Sequence, residues 1–472
     1  MRVAPPGGRC PCPQSREIKG FQGLAELAYE RARPALKEAQ SVPSPLFLIA
    51  DPSLTDLRGH HYNLTRAVAA SAEAAGFRTS WLVSADLSED LGAQHPEAIP
   101  TFGRSMYDAY KGTKAPVARR GLLGRFMRNS GPKTAPPAPD LARSMAEGLR
   151  EGLKKSGAGP DDHLLFHTAD GATYRAVAAL IAEDGAESLP QIHICTPYDP
   201  VGVMPNRGSA AEVAAPIHDW EEAGLIGSRI HLYAENEILA RHLTELWEVE
   251  VAPLPLPVLE QDDISGEAAN FRAEKLRVAP DSFVIISLGA ARLEKGFNLF
   301  PDIIRRTFEL AGSGEFPGTA PEKIHFALHA SPQIIGRHPV IAATLEKLEA
   351  LDPAKLTLLK EPLTDLDYRT LLGAADAVCL PYTPKDYRVR SSGIVTETIA
   401  AGKFLIATAG TYPGHVAESA HGGTGATPME MARALLDAMS KREERQRLLD
   451  ITAASYRHDN RVAAYVTRLK GV

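Results

Sequence analysis

Two successive series of short apolar runs, each alternating with helical patterns, constrain the fold of this 472-residue chain most strongly. The first series includes LFLIA (46–50), HLLFHT (163–168) and QIHICT (191–196). The second runs from FVIISLG (283–289) to FLIATA (404–409). Runs this short and apolar are typical of parallel strands that are buried on both faces. We therefore predict an α/β fold with two doubly wound, Rossmann-like parallel-sheet domains that face a cleft.

A stretch that alternates proline with apolar residues, VAPLPLPVL (251–259), separates the two series. Proline at this spacing excludes a helix, so we expect an extended connection between the domains. The predicted divisions are an N-terminal extension with a helix (1–45, helix within 16–40), an N-terminal Rossmann-like domain (46–258, with an insertion at about 101–140), a C-terminal Rossmann-like domain (259–440) and a helical tail (441–472).

The overall charge argues against a general nucleic-acid-binding protein. The chain has 58 acidic and 52 basic residues, for a formal net charge of −6, whereas nucleic-acid binders are usually basic. Its 4 cysteines are too few for a disulfide framework in a chain of this length. No run approaches the ~18 apolar residues of a membrane span, and no signal-peptide pattern opens the chain. We expect a cytoplasmic protein that does not bind nucleic acid.

The predicted insertion at 101–140 breaks the alternation of strands and helices. Between Lys111 and Lys133 it carries 7 basic residues and no acidic one, with bulky apolar residues interleaved. Two interpretations stay open. One is a solvated, mobile insertion; the other is peripheral contact of residues 111–133 with an anionic lipid surface, which would place the protein at the inner membrane surface.

The stretch FVIISLGAARLEKGF (283–297) carries the first candidate binding residues. Gly289, at the strand end, would let a ligand approach the backbone closely. Arg292 and Lys295 follow in the strand-to-helix loop, where a bidentate guanidinium and a point charge can reach one anion. The alternative is a solvated basic loop, with Glu294 between the two cations.

A second stretch, 377–410, supplies the remaining candidates of the C-terminal half. The strand AVCLPY leads into a loop with Arg390, and Ser392 and Gly393 then open a short helix that carries Glu397. Free N–H groups at such a helix start suit a phosphate, and a carboxylate in the helix can accept two hydrogen bonds from a vicinal diol such as ribose. The alternatives are an ordinary N-cap and a first-turn acid that faces the helix dipole.

The order GxxRxxKG followed by LPY…SSG…TETIAAGKFLIAT resembles the nucleotide-sugar domain of group 1 glycosyltransferases of GT-B fold (family 4, retaining). The resemblance implies that Arg292 and Lys295 hold the donor diphosphate, with help from the backbone at Ser392 and Gly393. It implies that Glu397, the second Glu of the E-x7-E motif of the family, binds the ribose. The first Glu of that motif is replaced by Val389, and we expect Arg390 to supply a phosphate contact instead.

The resemblance extends to the N-terminal half with fewer matching residues. Gly59 and His60 occupy the glycine-rich loop of the family, on the acceptor side. His167 ends a strand where the family often has a histidine near the transferred sugar, which makes it the catalytic candidate; the alternative is a hydrogen-bonded core histidine. Tyr198 and Asp199 follow the strand QIHICT and are expected to face the same cleft, although the family often has His-Asp there.

Two further patterns are interpreted as structural. Asp365-Leu-Asp367 has the spacing of a Mg²⁺-binding D-x-D, but it precedes a helical pattern and we predict a helix start. The glycines of GGTG (422–425) are predicted to lie in a loop. The sequence has no zinc-ligand spacing, P-loop or nucleophile elbow, so we expect neither a metal nor a cofactor.

The function that the resemblance implies is a hexosyltransferase-type glycosyltransferase of polysaccharide or glycoconjugate biosynthesis. It would move a sugar from a nucleotide-diphosphate sugar to an unidentified glycan, lipid or small-molecule acceptor, with retention. Two alternatives stay open. One is a nucleotide-sugar epimerase of the same architecture. The other is a non-catalytic nucleotide-sugar-binding protein, because Val389 and Tyr198 depart from the motifs of the family.

Overall fold

The structure is a computed structural model, and several stretches of the chain fall outside its description. The predicted N-terminal helix, the basic segment 111–133 and most of the predicted insertion lie in these stretches. The described residues are 44–103, 141–200, 210–259, 263–331, 338–469 and 471.

The first sheet contains seven parallel strands in the order β3-β2-β1-β4-β5-β6-β7. The strands predicted from the sequence are confirmed within two residues at each end. β3 ends at Phe102, so two residues of the predicted insertion belong to the sheet. The strands are β1 (Leu46–Asp51), β2 (Arg78–Ser84), β3 (Ala98–Phe102), β4 (His163–Phe166), β5 (Gln191–Thr196), β6 (Ile230–Ala234) and β7 (Ala252–Pro253).

The second sheet contains six parallel strands in the order β10-β9-β8-β11-β12-β13. The predicted α/β fold with two parallel-sheet domains is therefore confirmed. The strands are β8 (Phe283–Ser287), β9 (Ile324–His329), β10 (Leu356–Leu359), β11 (Ala377–Leu380), β12 (Phe404–Thr408) and β13 (Gly423–Gly425).

Helices connect the strands, as parallel pairing requires. In the first half they are α1 (Gly59–Ala74), α2 (Glu89–Gln94), α3 (Leu141–Ser156), α4 (Gly171–Asp184), α5 (Ala210–Glu222) and α6 (Glu237–Trp247). In the second half they are α7 (Ser265–Asn270, continued by a π-helical turn over Phe271–Leu276), α8 (Phe300–Ala311), α9 (Pro339–Glu349), α10 (Asp365–Ala374), α11 (Pro384–Tyr387), α12 (Gly393–Ala400), α13 (Tyr412–Ser419), α14 (Pro428–Ser440), α15 (Arg442–Asp459) and α16 (Val462–Thr467). Short 3₁₀ turns span Ala186–Ser188, Phe297–Leu299 and Pro321–Lys323.

Both faces of each sheet are buried, which explains why the strands read as continuous apolar runs. In β1, Leu48 packs with one core cluster of the first sheet, and Phe47 and Ile49 pack with the cluster on the opposite face. In β8, Ile285 and Ile286 divide in the same way between the two clusters of the second sheet. Successive side chains of a strand point to opposite faces, so each sheet carries helices on both sides.

The C-terminal tail returns to the first sheet. Tyr465 and Val466 of α16, together with Leu469, are buried in the same core cluster as Phe47 and Ile49 of β1. The proline-rich stretch lies beside this region, where the backbone N–H of Val258 donates to the carbonyl of Asn460. Among the described residues, we find no helix with the length and apolar character needed to cross a bilayer.

The prediction of a loop at residues 422–425 is wrong, because Gly423–Gly425 forms the edge strand β13. A side chain at Gly425 would place its Cβ 2.4 Å from the backbone nitrogen of Met431 in α14. Because the glycines have no side chains, the strand can pack closely against the helix. A strand made largely of glycine lacks the run of apolar residues from which the other strands were predicted.

Candidate functional site

The loop after β8 folds its lysine back onto the strand end. The backbone N–H of Lys295 donates to the carbonyl of Arg292 over 3.2 Å, and the N–H of Thr383 donates to the carbonyl of Glu294 over 3.0 Å. A Cβ at Gly289 would lie 2.8 Å from Lys295 Nζ. Gly289 therefore makes room for the ammonium group of this chain, at the place where the sequence predicts close approach of a ligand.

Three cations gather beside this loop, and two tyrosine rings connect two of them. Lys295 Nζ lies 5.6 Å from the ring centroid of Tyr382, and the guanidinium of Arg390 lies 5.1 Å from that of Tyr387. The two rings are 4.3 Å apart. The third cation is Arg292, whose side chain is 49% exposed. Cations above aromatic rings are held in place without losing their charge to a carboxylate.

The electrostatics of the cluster favour an anion. Burial lowers the pKa of Lys295 to about 8, and the positive charges of Arg292 and Arg390 add to the effect. Glu294 acts in the opposite direction, and its carboxylate lies 3.5 Å from the guanidinium of Arg292. A pKa lowered by neighbouring cations indicates more positive charge than the local carboxylate neutralises. A diphosphate would supply the missing negative charge.

The start of α12 adds backbone donors to the same region. Ser392 occupies the N-cap position, and within the described part of the chain no side chain caps this helix end. The first N–H groups of the helix, beginning at Gly393, therefore have no side-chain acceptor, which is the arrangement that binds anions at helix starts.

Glu397, the fifth residue of α12, has a hydrogen-bond partner that the sequence analysis did not identify. Tyr368 of α10 donates its hydroxyl to Glu397 Oε2 over 2.5 Å. Burial raises the pKa of Glu397, whereas the Tyr368 hydrogen bond lowers it. One carboxylate oxygen is thus oriented by the protein.

His167 is enclosed by polar neighbours of the first sheet. Its side chain has 0% exposure, and its Nε2 lies 3.0 Å from Thr65 Oγ1 and 3.2 Å from Asp51 Oδ2. His61 Nδ1 lies 2.8 Å from the same Asp51 oxygen. Burial alone would raise the pKa of Asp51. The charge of His61 and the hydrogen bond of His167 together lower it by more, so the pKa of Asp51 lies well below its ordinary value. These surroundings fit the alternative of a hydrogen-bonded core histidine, and the catalytic role of His167 stays a prediction.

The other predicted acceptor-side residues lie at the carboxyl ends of β1 and β5. Gly59 is the first residue of α1, and the exposed His60 follows it with its ring 4.0 Å from that of His61. Asp199 Oδ2 lies 3.0 Å from His242 Nε2 of α6. The guanidinium of Arg390 lies 5.7 Å from the ring of Tyr198, so the structure brings together one predicted residue from each sheet.

The two sheets share a polar contact that was not predicted from the sequence. Ser391 donates a short hydrogen bond to Glu235, a buried residue directly after β6. Asn236 Nδ2 donates to the carbonyl oxygen of Val389 over 3.0 Å, and the Val389 side chain is buried in a core cluster of the first sheet. Position after a buried strand was the available signal for Glu235, and it is the signal that identified Gly289 and Tyr198.

The D-x-D sequence at Asp365 is a helix start, as predicted. Thr364 caps α10, and Asp367 completes a reciprocal capping box with it. Asp365 also accepts a hydrogen bond from Asn63 of α1 over 3.2 Å, a further contact between the halves of the chain. Within the described ranges, no group of three or more His, Cys, Asp or Glu side chains is arranged to hold a metal ion.

Comparison with solved structures identifies the fold. No protein-family model and no curated protein matches the chain. The N-terminal domain of trehalose-6-phosphate phosphatase from Candida albicans matches with a TM-score of 0.60 and 13% identity, over 91% of this chain and 96% of that one. HepE from Anabaena, solved with UDP, matches at 0.56 and 12%, over 90% and 98%.

A third similar structure is the trehalose 6-phosphate synthase of Burkholderia multivorans. It matches with a TM-score of 0.56 and 15% identity, over 90% of this chain and 97% of that one. At such identities the likeness shows the fold alone. The chain has the two-sheet GT-B fold that its glycosyltransferase neighbours share.

Proposed function

We propose that this protein is a glycosyltransferase that moves a sugar from a nucleotide-diphosphate sugar to an acceptor. The observation that carries the proposal is the gathering of Arg292, Lys295 and Arg390 beside the uncapped start of α12. All of these groups follow the carboxyl ends of β8 and β11, which are adjacent strands. Ligands of doubly wound sheets bind at this edge.

The chemistry follows from where charge develops. An acceptor oxygen forms a bond to the anomeric carbon, the bond from that carbon to the diphosphate breaks, and the nucleoside diphosphate leaves with the electron pair. Lys295, Arg292 and the amides of α12 stabilise that developing charge without a metal. Glu397, oriented by Tyr368, accepts hydrogen bonds from the ribose hydroxyls. Retention and a hexose donor are the finer expectations that come from the family resemblance.

The residues of the first sheet have supporting parts in this proposal. Gly59, His60, Tyr198 and Asp199 line the acceptor side. His167 is the catalytic candidate that the family resemblance suggests, and its ring also holds Asp51 through a hydrogen bond. We propose the domain divisions near residues 45, 258 and 440 that the sequence predicts. The acceptor is a glycan, a lipid or a small molecule, and residues 111–133 would deliver the protein to an anionic lipid surface.

The test is a thermal-shift screen of nucleoside diphosphates and their sugars, followed by turnover assays with the best donor. UDP and UDP-glucose come first because HepE was solved with each of them. Arg292→Ala combined with Lys295→Ala is expected to lower turnover by a factor of about 10²–10³ while thermal unfolding changes little. Unchanged turnover would contradict the site.

The matched control is Arg305→Ala combined with Lys323→Ala. It also removes two positive charges, but from exposed ion pairs in which the side chains of Arg305 and Lys323 are 46% and 47% exposed. This control is expected to turn over like the wild type, because long-range charge effects are screened by salt.

A non-catalytic nucleotide-sugar-binding protein is the second candidate, and one observation favours it. Val389 has no carboxylate, and its side chain is buried in the core of the first sheet. This position therefore offers no hydrogen bond to the hydroxyls of a donor sugar. The same screen separates the candidates, because a binding protein would bind a nucleoside diphosphate without consuming any of its sugars.

A further inference from the structure

Three consecutive residues of the second half, Val389–Ser391, make a buried polar contact with the first sheet, and we call them the bridging segment. Its first residue accepts a hydrogen bond from Asn236 at the backbone carbonyl, and its last donates one from the hydroxyl to Glu235. Asn236 is 0% exposed and Glu235 is 8% exposed. Both hydrogen bonds are therefore shielded from water, where a broken bond leaves a costly unpaired group.

Arg390 is the middle residue of the bridging segment. Its two chain neighbours are held by hydrogen bonds, Val389 at the carbonyl by Asn236 and Ser391 at the hydroxyl by Glu235. The guanidinium of Arg390 lies over two rings. One ring, of Tyr198, belongs to the first half of the chain; the other, of Tyr387, belongs to the second. Residues of the first sheet thus help to place the guanidinium of Arg390, and this positive charge lowers the pKa of Lys295 beside the second sheet.

The two residues of the first sheet are themselves well fixed. Asn236 caps α6, since its Oδ1 accepts a hydrogen bond from the Leu239 N–H over 2.8 Å, and this leaves Nδ2 directed at the bridging segment. The pKa of Glu235 is raised to about 7, because burial raises it by more than the Ser391 hydrogen bond and the charge of Arg390 lower it. Removing the Ser391 hydroxyl would leave this buried carboxyl group without that hydrogen bond, which is costly away from water.

We propose that Glu235 and Asn236 are positioning residues for the nucleoside-diphosphate site of the opposite sheet: by holding the bridging segment, they aim Arg390 at the diphosphate. This inference rests on the proposed function and adds that donor binding depends on the contact between the sheets. Neither residue touches the ligand. Their effect is transmitted through Arg390 and is specific to the phosphate groups.

The experiment measures dissociation constants by calorimetry for two probes: the nucleoside diphosphate with the largest thermal shift, and the corresponding nucleoside. Asn236→Ser keeps a side-chain cap for α6 but loses the amide donor, and Ser391→Ala loses the hydroxyl donor. Each is expected to raise the Kd of the diphosphate about tenfold, the effect of one misplaced charged hydrogen bond, and to leave the Kd of the nucleoside unchanged.

Three further variants separate positioning from general structural damage. Glu235→Gln keeps an acceptor for Ser391 and is expected to bind the diphosphate within about twofold of wild type, whereas Glu235→Ala is expected to resemble Ser391→Ala. In an Arg390→Ala background, Ser391→Ala should cause no further loss, because the group that it positions is gone. Glu237→Gln, which removes an exposed carboxylate from the first turn of the same helix, is the control.

The outcomes distinguish this inference from the proposed function. If wild type binds no nucleoside diphosphate, the proposed function and the inference both fail. If wild type binds but Asn236→Ser and Ser391→Ala bind equally well, only the inference fails. Equal weakening of diphosphate and nucleoside, or additive losses with Arg390→Ala, would also overturn it. If Asn236→Ser does not fold, the comparison of Ser391→Ala with Glu235→Gln decides.

Discussion

The charge on Lys295 depends on what lies next to it. Its pKa is lowered to about 8 by burial and by Arg292 and Arg390, so near pH 8 about half of the molecules carry a neutral amine. A diphosphate bound beside it would favour the ammonium form and raise the pKa. Binding and protonation of Lys295 are then coupled.

This coupling predicts that nucleoside diphosphate binding takes up about half a proton at pH 8. Calorimetry in buffers of different ionisation enthalpy measures that number directly. Affinity is expected to fall as pH rises above about 8, by no more than about tenfold per pH unit. Lys295→Arg is the control, because arginine keeps its charge throughout this range and should abolish the uptake. The same uptake in Lys295→Arg would assign the proton to another group.

At the scale of elements, the loop after β8 is pressed against the end of β11. Gly296 has a φ of +66°, and a Cβ at this position would lie 1.8 Å from the carbonyl oxygen of Pro381. The loop can reach this position only because residue 296 has no side chain. Since Lys295 is the preceding residue, the placement of its ammonium depends on this close approach.

Gly296→Ala is therefore expected to lower the free energy of unfolding by about 3 kcal/mol or more and to weaken nucleoside diphosphate binding. Gly224→Ala is the matched control, because Gly224 has a φ of +67° but no described atom within 4 Å of the position that its Cβ would take. It should cost only about 1–2 kcal/mol of backbone strain and leave binding unchanged. Denaturant unfolding and calorimetry measure both effects. Equal costs for the two variants would mean that the loop moves freely.

Strands with apolar side chains on both faces could be predicted from the sequence. Short elements without such a pattern, which form through packing against their neighbours in the folded chain, could not. β5 was predicted with its observed bounds, because it is an apolar run that both layers of helices cover. β13 was missed because its two glycines show no apolar pattern. The short helix α2 follows a serine N-cap, but its six residues are too few to show a periodicity.

The candidate site divides in the same way. Arg292, Lys295 and the start of α12 could be predicted because each lies in the segment that follows a recognisable strand. Glu235 also follows a recognisable strand, but its contact with Ser391 could not be predicted, because the two residues are 156 positions apart and only the folded chain brings them together. The pairing of Glu397 with Tyr368 was missed for the same reason.

At the scale of the whole molecule, folding excludes protons from a row of histidines in the first sheet. His163 Nδ1 lies 3.0 Å from His193 Nε2, and the rings of His193 and His231 are 5.0 Å apart. Burial lowers the pKa of His163 and of His193, and for His193 the neighbouring histidines lower it further. Two adjacent rings that share a hydrogen bond cannot both be protonated.

These lowered pKa values predict acid sensitivity of the folded state. Below the ordinary histidine pKa of 6.5, the unfolded chain binds protons that the folded chain excludes, so stability falls as pH falls and is flat above that value. Glu235, whose pKa is raised to about 7, acts in the opposite direction, so the quantity to measure is the difference between variants. In urea titrations from pH 5 to 7.5, His193→Gln should reduce the slope by up to about 1.4 kcal/mol per pH unit, the effect of one proton. The control is His218→Gln, which changes an exposed histidine and should leave the slope of stability against pH as it is in the wild type. If His193→Gln also left this slope unchanged, the acid sensitivity would arise outside this row of histidines.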